Sequence, residues 1–404
     1  MDILNKPNAV ACRFLGQQER EDGIQYRLSR YVVAEGDAMY NTLTGEAIRG
    51  ADEAEKIRKW FLVPENMDES ALAYSIRQKS LQNVNGPGGN IKKRFVIFLT
   101  TVCNAHCEYC YEQGIKPMTM TEQTAADVAD YILAHSDRDA PPRIRWFGGD
   151  PLVNIRAIDI ISGRLNSEKM PFRSEAFTNG DLLPDVTDEQ LKAWHIDKFQ
   201  FTVDDIGPDY ARVKGLPQGA YERLCDTIDR VTALGIRADV RIHYWPGKGK
   251  EIPLRVAKEF CGRERVRPYC VMLYGGGSTE DYAGLMEVQE YIHRHGGGKI
   301  IFPVVRFGVS CMADNRKIAC ITTDGHLSPC EHHPYGENYG SIYGKGYDQA
   351  VLKRWAAKSR NYCKGCVLYP SCGKMALCPA DGKCTEAEIN HMVQRIRFVL
   401  RETK

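Results

Sequence analysis

The chain has 404 residues, 54 basic and 52 acidic side chains, a formal net charge of +2 and 43% hydrophobic residues. That length suits two or three domains with a sizeable core, and the charge balance offers no pull toward nucleic acid or an anionic membrane surface. It has no apolar run of about 18 residues, the minimum for a membrane-spanning helix, and the opening MDILNKPNAVACRFLGQQERED lacks the apolar core of a signal peptide, so a cytoplasmic protein is expected. Fifteen cysteines in such a compartment argue against disulfides. Their crowding argues for metal: three lie at Cys103, Cys107 and Cys110, and eight follow Ser310. The scattered Cys12, Cys225, Cys261 and Cys270 read as small buried hydrophobes.

In chain order, QYRLSRYVVAEGDAMYNTLTGEAIRG predicts two or three short strands with turns at Glu35-Gly36-Asp37 and Thr44-Gly45. DEAEKIRKWFLVPENMDESALAYSIRQKS predicts two helices broken at Pro64. Residues 1–82 thus form a small β-plus-helix module, of which a winged helix-turn-helix is one version. The glycine-dense run from Asn83 to Asn90 reads as a linker. From Phe95 strands and helices alternate: FVIFLT, a helix over Thr121–His135, RIRWFG, SEAFT, KFQFTV, a helix over Tyr221–Leu234, IRADVRIHY and RPYCVMLYG. Alternating βα units predict a parallel sheet with right-handed crossovers over residues 91–304. Tyr274-Gly275-Gly276-Gly277-Ser278 lacks the lysine and the trailing helix pattern of a phosphate loop and reads as a flexible exit.

The first strand runs directly into Cys103, Cys107 and Cys110, spaced C-x3-C-x2-C. Three thiolates on one loop can hold three irons of a [4Fe–4S] cubane, and no fourth cysteine stands nearby to close it. The remaining iron is then open to a small-molecule ligand. Zinc fits this spacing poorly, because it favours four ligands in paired C-x2-C knuckles. With an aromatic residue, Tyr109, before the last cysteine, the loop resembles the signature of the radical S-adenosylmethionine (SAM) enzymes. The resemblance implies a partial (β/α)6 barrel, an α/β fold, in which the open iron chelates SAM and its reductive cleavage gives 5′-deoxyadenosine by way of a radical.

Further segments match that family where strand ends are predicted, the face at which such barrels gather chemistry. Gly148-Gly149-Asp150-Pro151 resembles the GGEP motif, which implies contact of its backbone and acid with the SAM ammonium; Asp replaces the usual Glu. Thr178-Asn179-Gly180 resembles a TNG segment near the ribose and methionyl end. Thr202-Val203-Asp204-Asp205 resembles S-x-D-G, implying that Thr202 faces the SAM carboxylate, with Asp205 where glycine is usual. Arg212 is implied as a second carboxylate partner. Asp204 and Asp205 are the candidate general bases. Arg241 and His243, at the end of the fifth strand, read either as substrate-facing residues or as a satisfied core pair.

Over residues 305–404 stand Cys311, Cys320, Cys330, Cys363, Cys366, Cys372, Cys378 and Cys384. Gly325-x4-Cys330 and the C-x2-C-x5-C run from Cys363 to Cys372 resemble the SPASM extension, which holds auxiliary [4Fe–4S] clusters. Five residues separate Cys372 from Cys378 where the family has three. The resemblance implies an inner cluster on Cys311, Cys320, Cys330 and Cys378 and an outer one on Cys363, Cys366, Cys372 and Cys384, three clusters in all. Cys320 lies in a strand-like run where an ordinary buried thiol is also expected. Asp324-Gly325 predicts the turn of a hairpin between KIACITT and HLSPC.

Radical SAM, SPASM and a preceding recognition-like module together resemble maturases of ribosomally made peptides. They imply a precursor peptide with a leader as substrate, flavodoxin or ferredoxin as electron donor, and an oxidative cross-link as product, either a thioether or a C–C or C–O bond. The alternatives are an anaerobic sulfatase maturase and, in another class, a cysteine-rich zinc protein binding nucleic acid or partners. The zinc protein calls for a basic face that the charge balance does not offer.

Overall fold

The computed structural model describes residues 23–50, 54–85, 91–273, 276–296, 311–344, 346–356, 363, 365–369 and 384–402. Near the N-terminus, β1 (Tyr26–Leu28) pairs antiparallel with β5 (Leu62–Pro64). Strands β2 (Val32–Glu35), β3 (Ala38–Asn41) and β4 (Ala47–Arg49) form an antiparallel sheet, turning at Gly36 and Gly45 as the sequence predicts. Helices α1 (Ala54–Trp60) and α2 (Glu69–Asn85) follow. Pro64 ends a short strand instead of merely breaking a helix. The second helix also runs three residues into the predicted linker, whose remainder, 86–90, lies outside the described residues. The start of α2 is tied to the first strands by Glu69, whose buried carboxylate accepts from Arg27 Nη1 at 2.6 Å and Arg30 N–H at 3.1 Å.

Six parallel strands then build the main sheet: β6 (Arg94–Thr100), β7 (Arg143–Gly148), β8 (Arg173–Thr178), β9 (Ile196–Thr202), β10 (Arg237–Tyr244) and β11 (Val266–Met272). Between them run α3 (Glu122–Ala134), α4 (Ile155–Ser167), α5 (Asp188–Ala193), α6 (Gly207–Lys214), α7 (Ala220–Ala233) and α8 (Glu251–Phe260). Thr121 caps α3 and His135 closes it, one residue inside the predicted span at each end. The strands alternate sharply. Phe95, Ile97 and Leu99 of β6, and Ala238, Val240, Ile242 and Tyr244 of β10, join the helix-facing core. The residues between them face the inside of the curved sheet. After β11, Ser278 caps α9 (Thr279–His295) through a capping box with Asp281, so a helix does follow the glycine run read as a flexible exit; Tyr274 and Gly275 are outside the described residues.

The sheet does not end at β6. β12 (Ile318–Ile321) pairs parallel with β6, and β13 (His326–Ser328) and β14 (Gly340–Ser341) extend it, giving the order β11-β10-β9-β8-β7-β6-β12-β13-β14. The predicted hairpin turn is present, with Gly325 at φ +83°. The boundary drawn near residue 304 therefore divides strands of one sheet. Helices α10 (Gln349–Ala356) and α11 (Glu386–Glu402) complete the described chain. The N-terminal strands pack on this C-terminal part: Val33, Ala38 and Tyr40 meet Val367, Leu368, Val393 and Ile396, while Tyr31 and Leu43 meet Cys363 and Tyr369. Of the cysteines read as hydrophobes, Cys270 is buried and Cys225 and Cys261 are half-buried; Cys12 lies outside the described residues. No described helix is long and apolar enough to cross a membrane.

Inside the sheet lies a layer of paired charges. Glu175 (β8) accepts from Arg145 (β7) at 2.7 Å and pairs with Lys198 (β9) at 2.5 Å; Arg145 also reaches Glu331, after β13, at 2.9 Å. Burial pushes the Glu175 carboxyl up, but Arg145 and Lys198 outweigh it and bring it down to about 2. A carboxylate held below its unfolded value stabilises the fold above that value and loses the contribution as pH falls through the folded one. Between pH 4.5 and about 2, Glu175 is therefore expected to lose up to about 3 kcal/mol, at ~1.4 kcal/mol per pH unit. Urea unfolding of wild type and Glu175→Gln across that window checks this: the wild-type curve falls more steeply, and parallel curves refute it.

Candidate active site

The cysteine loop leaves β6 at Thr100 and returns beside it. Thr101 N–H donates to Met118 O at 2.8 Å, Met120 N–H to Leu99 O at 2.9 Å, and Thr100 bridges Thr119. Cys103, Cys107 and Cys110 are all half-buried. The Cys103 sulfur accepts from Ala105 N–H at 3.4 Å and from Asn179 Nδ2 at 3.8 Å.

The end of β7 presses onto this loop. Gly149 N–H donates to Thr100 O at 3.0 Å and Asp150 N–H to Val102 O at 3.1 Å. Gly148 has φ +129°, and a Cβ there would stand 2.1 Å from Thr100 O; one on Gly149 would stand 2.4 Å from Val102 O. Both neighbours are backbone and cannot yield as a flexible side chain can. Gly149→Ala is thus expected to unseat the loop, costing about 1–3 kcal/mol from overpacking and at least tenfold in iron retained after desalting. Thermal unfolding and iron analysis of the reconstituted variant check this; wild-type values in both would refute it.

Asp150 is tied into the protein by its own hydrogen bonds. Its carboxylate is buried: one oxygen accepts from Thr178 Oγ1 at 2.8 Å and Asn179 N–H at 2.9 Å, the other from Leu152 N–H at 3.0 Å. Burial pushes it up to about 6 against these three hydrogen bonds. The shorter acid thus ties the end of β7 to the end of β8, and the glycine backbone is what meets the loop. Asn179 carries the tie onward, donating to Asn104 Oδ1 at 2.8 Å, and Asn104 reaches Asp181 at 3.0 Å.

The fourth motif splits in an unexpected way. Thr202 ends β9, half-buried, on the inner face with Lys198 and Gln200. Asp204 is buried within a cluster that the sequence reading did not assemble. Lys214 Nζ lies 2.5 Å from Asp204 Oδ2, and the Tyr109 hydroxyl donates to the same oxygen at 2.5 Å. His243 Nδ1 lies 2.7 Å from the other oxygen, and the Tyr109 ring stands edge-on to His243 and Trp245. Burial pushes the Asp204 carboxyl up, but Lys214 and His243 outweigh it and hold it well below the carboxylate range; burial pushes the His243 imidazole down, against Asp204. Asp205 is buried in an ion pair with Arg255 and accepts from Ile206 N–H at 2.9 Å. Both candidate general bases are therefore paired with cations.

Arg212 faces solvent. Its side chain is 72% exposed and pairs with Asp209 at 2.7 Å, one turn back on the surface. The cation that α6 sends inward is Lys214, 2% exposed. The helix explains this: Lys214 lies three and four residues after the buried Ala211 and Tyr210, on their face, and Arg212 lies opposite. That spacing was the available signal. The same helix braces the cysteine loop, since His106 N–H donates to Lys214 O at 2.7 Å.

Residues 97–260, which carry all these parts, match the family model described as the radical SAM superfamily. The chain carries a radical SAM domain. A curated relative from Methanosarcina mazei, described as a probable GTP 3′,8-cyclase, is 22% identical over 144 residues. That match spans 35% of this chain and 42% of the relative, less than half its length. A protein of the same description from Methanocella arvoryzae is 24% identical over 253 residues, 58% of this chain and 80% of that one. Among solved structures, anSMEcpe with bound AdoMet and the Cp18Cys peptide superposes with a TM-score of 0.54 at 13% identity, over 75% of this chain and 94% of that one. SuiB of Streptococcus suis bound to S-adenosylmethionine superposes with a TM-score of 0.51 at 14% identity, over 92% of this chain and 95% of that one; SuiB has also been solved with its precursor peptide SuiA. These two likenesses are likenesses of fold.

The donor set of the radical SAM domain fits an iron–sulfur cluster. Cys103, Cys107 and Cys110 are soft ligands on one loop, close enough to act electrostatically on one another. Burial pushes the Cys103 thiol up to about 12, so an iron held there would displace a proton. Among the described residues no three His, Cys, Asp or Glu converge as a metal site.

Downstream, Cys311 precedes β12, Cys320 lies within it and Cys330 follows β13. Cys320 is buried on the inner face against Val96 and Phe98, yet within electrostatic reach of Cys330. Cys363 and Cys366 are neighbours under Tyr31 of the N-terminal module. Cys384 is half-buried before α11, and Cys372 and Cys378 lie outside the described residues.

Proposed function

We propose that this protein is a radical SAM maturase that oxidatively modifies a ribosomally made precursor peptide, installing an intramolecular cross-link of the thioether, C–C or C–O type. The reading is carried by one observation: the N-terminal module packs directly on the segment that bears Cys363 and Cys366, joining the two parts that flank the radical SAM domain. The likeness to SuiB, which spans 92% of this chain, supports that arrangement. When bound, the [4Fe–4S] cluster and SAM supply the 5′-deoxyadenosyl radical that takes a hydrogen atom from the substrate.

In this reading Cys103, Cys107 and Cys110 hold the cluster. The backbone of Gly148 and Gly149, with Thr178, Asn179, Thr202 and the Tyr109 ring, lines the SAM side. Lys214 and Asp204 keep Tyr109 fixed and exclude water from beneath it. Two auxiliary clusters would be held by Cys311, Cys320, Cys330, Cys378 and by Cys363, Cys366, Cys372, Cys384 and would accept the electron released on bond closure, while flavodoxin or ferredoxin would serve as the electron donor for SAM cleavage. Each cross-link removes two hydrogens from the peptide, one as the abstracted atom and one as a proton and an electron.

Anaerobic incubation with SAM, reductant and a short peptide encoded beside this gene tests the reading. A product lighter by two hydrogens per bond, with 5′-deoxyadenosine above the protein-free control, is expected. No 5′-deoxyadenosine rejects the radical mechanism, and unchanged peptide mass rejects the cross-link. The likeness to anSMEcpe sustains a second reading, oxidation of a Cys or Ser to formylglycine, which hydroxylamine trapping of an aldehyde separates from a cross-link.

A further inference from the structure

Within the inner face of the sheet, above the paired charges, stands a layer of different character. On one wall Phe98, Phe147 and Phe177 contact edge to face, with ring centroids 5.0 and 5.5 Å apart, and Tyr335 joins Phe98 at 6.1 Å. On the other wall is Arg241 of β10, in register with Thr202 of β9 and Tyr269 of β11. The Tyr269 hydroxyl donates to Gln200 Oε1 at 2.5 Å, so it is already engaged.

Arg241 differs from the paired cations Arg145 and Lys198 of the layer below. Its Nε is buried with no hydrogen-bond partner, and among the described residues it has no ion pair. The acids within reach along its strand and beside it are all taken. Asp239, two residues back on the same face, is held by Arg237 at 2.8 Å and Lys198 at 3.7 Å. Glu175 is held by Arg145 and Lys198, and Glu331 by Arg145. Asp204 is held by Lys214 and His243. Arg241 is half-buried, with its Nε out of reach of water; a guanidinium without an anion is open to one, and its planar fork matches a carboxylate.

We propose that Arg241 receives a carboxylate of the substrate within the barrel, in a peptide the side chain of an Asp or Glu near the residue that is modified. Arg241 stands one strand beyond Thr202, the last of the SAM-side residues on β6 through β9, and beside Tyr269 of β11, so a substrate carboxylate and the methionyl carboxylate of SAM are the two anions to be told apart. The aromatic wall opposite supplies apolar contact for the stem of that residue. The assignment rests on the radical SAM peptide reading, and it adds a specificity element: an acidic residue is accepted where its amide is refused, because the amide leaves the guanidinium uncompensated.

The test uses the full chain, reconstituted anaerobically and loaded with SAM. N-acetylglutamate amide and N-acetylglutamine amide serve as probes, their affinities compared by saturation-transfer NMR. Wild type is expected to prefer the acid at least tenfold. Arg241→Gln is expected to abolish the preference and Arg241→Lys to keep part of it, with both variants binding SAM within threefold of wild type and melting at similar temperatures. No preference in wild type, or a preference that survives in Arg241→Gln, overturns the proposal. A SAM affinity that falls tenfold or more in both variants also overturns it, because the carboxylate is then the methionyl one. Failure of wild type to release 5′-deoxyadenosine with SAM and dithionite rejects the underlying reading instead, whatever the probes show.

Discussion

Asp204→Asn is expected to lower the unfolding free energy by about 3–5 kcal/mol, the range for breaking one side of a buried ion pair. The neutral amide leaves the Lys214 ammonium, 2% exposed, without its anion, and it replaces an oxygen that now accepts from Tyr109. Burial already pushes the Tyr109 phenol far above its ordinary range, so Tyr109 cannot ionise to take the carboxylate's place. Lys214→Met should cost less, because His243 and Tyr109 still donate to Asp204. Combining the two changes should recover part of the loss, since neither charge is then stranded. Denaturant unfolding of the two single variants and the double variant forms the cycle. Additive losses would show that the pair is not coupled and would remove Lys214 from the site. The same variants should lose SAM cleavage more than stability alone explains, because each single change removes one polar anchor of Tyr109 and the double change removes both.

The second large effect separates the two groups of cysteines. Changing Cys103, Cys107 and Cys110 together to Ala is expected to bring 5′-deoxyadenosine formation down to the protein-free background and to remove about four irons per chain, the content of one cubane. Changing Cys363 and Cys366 should also remove about four irons but leave SAM cleavage within a fewfold of wild type, while cross-linked peptide disappears. The difference follows from position. The first three lie on the loop pinned by Gly149, Asp150 and His106, and the latter two lie beneath Tyr31 in the packing of the N-terminal module. Equal loss of SAM cleavage in both variants would argue that Cys363 and Cys366 support the radical SAM domain itself. Zinc in place of the second group of irons would restore the zinc reading for the C-terminal part.

Much of the site was legible because its chemistry is local. Cysteines spaced over a single loop, and Gly-Gly or Thr-Asn at a strand end, need no tertiary information to be grouped. What lay beyond reach were partners joined across long separations. Lys214 meets Tyr109 across 105 positions, and His243 meets Asp204 across 39. A motif points to Arg212 by position alone, whereas the face of α6 decides that Lys214 is the buried cation. The motif likewise does not show that Asp150 braces β7 against β8 through three hydrogen bonds.

By itself the sequence determined the alternation of strands and helices, the helix that begins near Thr121, the hairpin turn at Gly325, and the loop whose thiols can hold iron. All of these depend on neighbours within a few residues. Only the tertiary structure decided that β12 continues the parallel sheet beside β6, that the N-terminal module rests on Cys363 and Cys366, and which of many charges are paired. Net charge near zero hides that pairing entirely. Whether a half-buried arginine is neutralised depends on carboxylates brought in from distant strands. Glu175, Asp204, Asp239 and Glu331 are all taken by other cations, and Arg241 has no ion pair among the described residues.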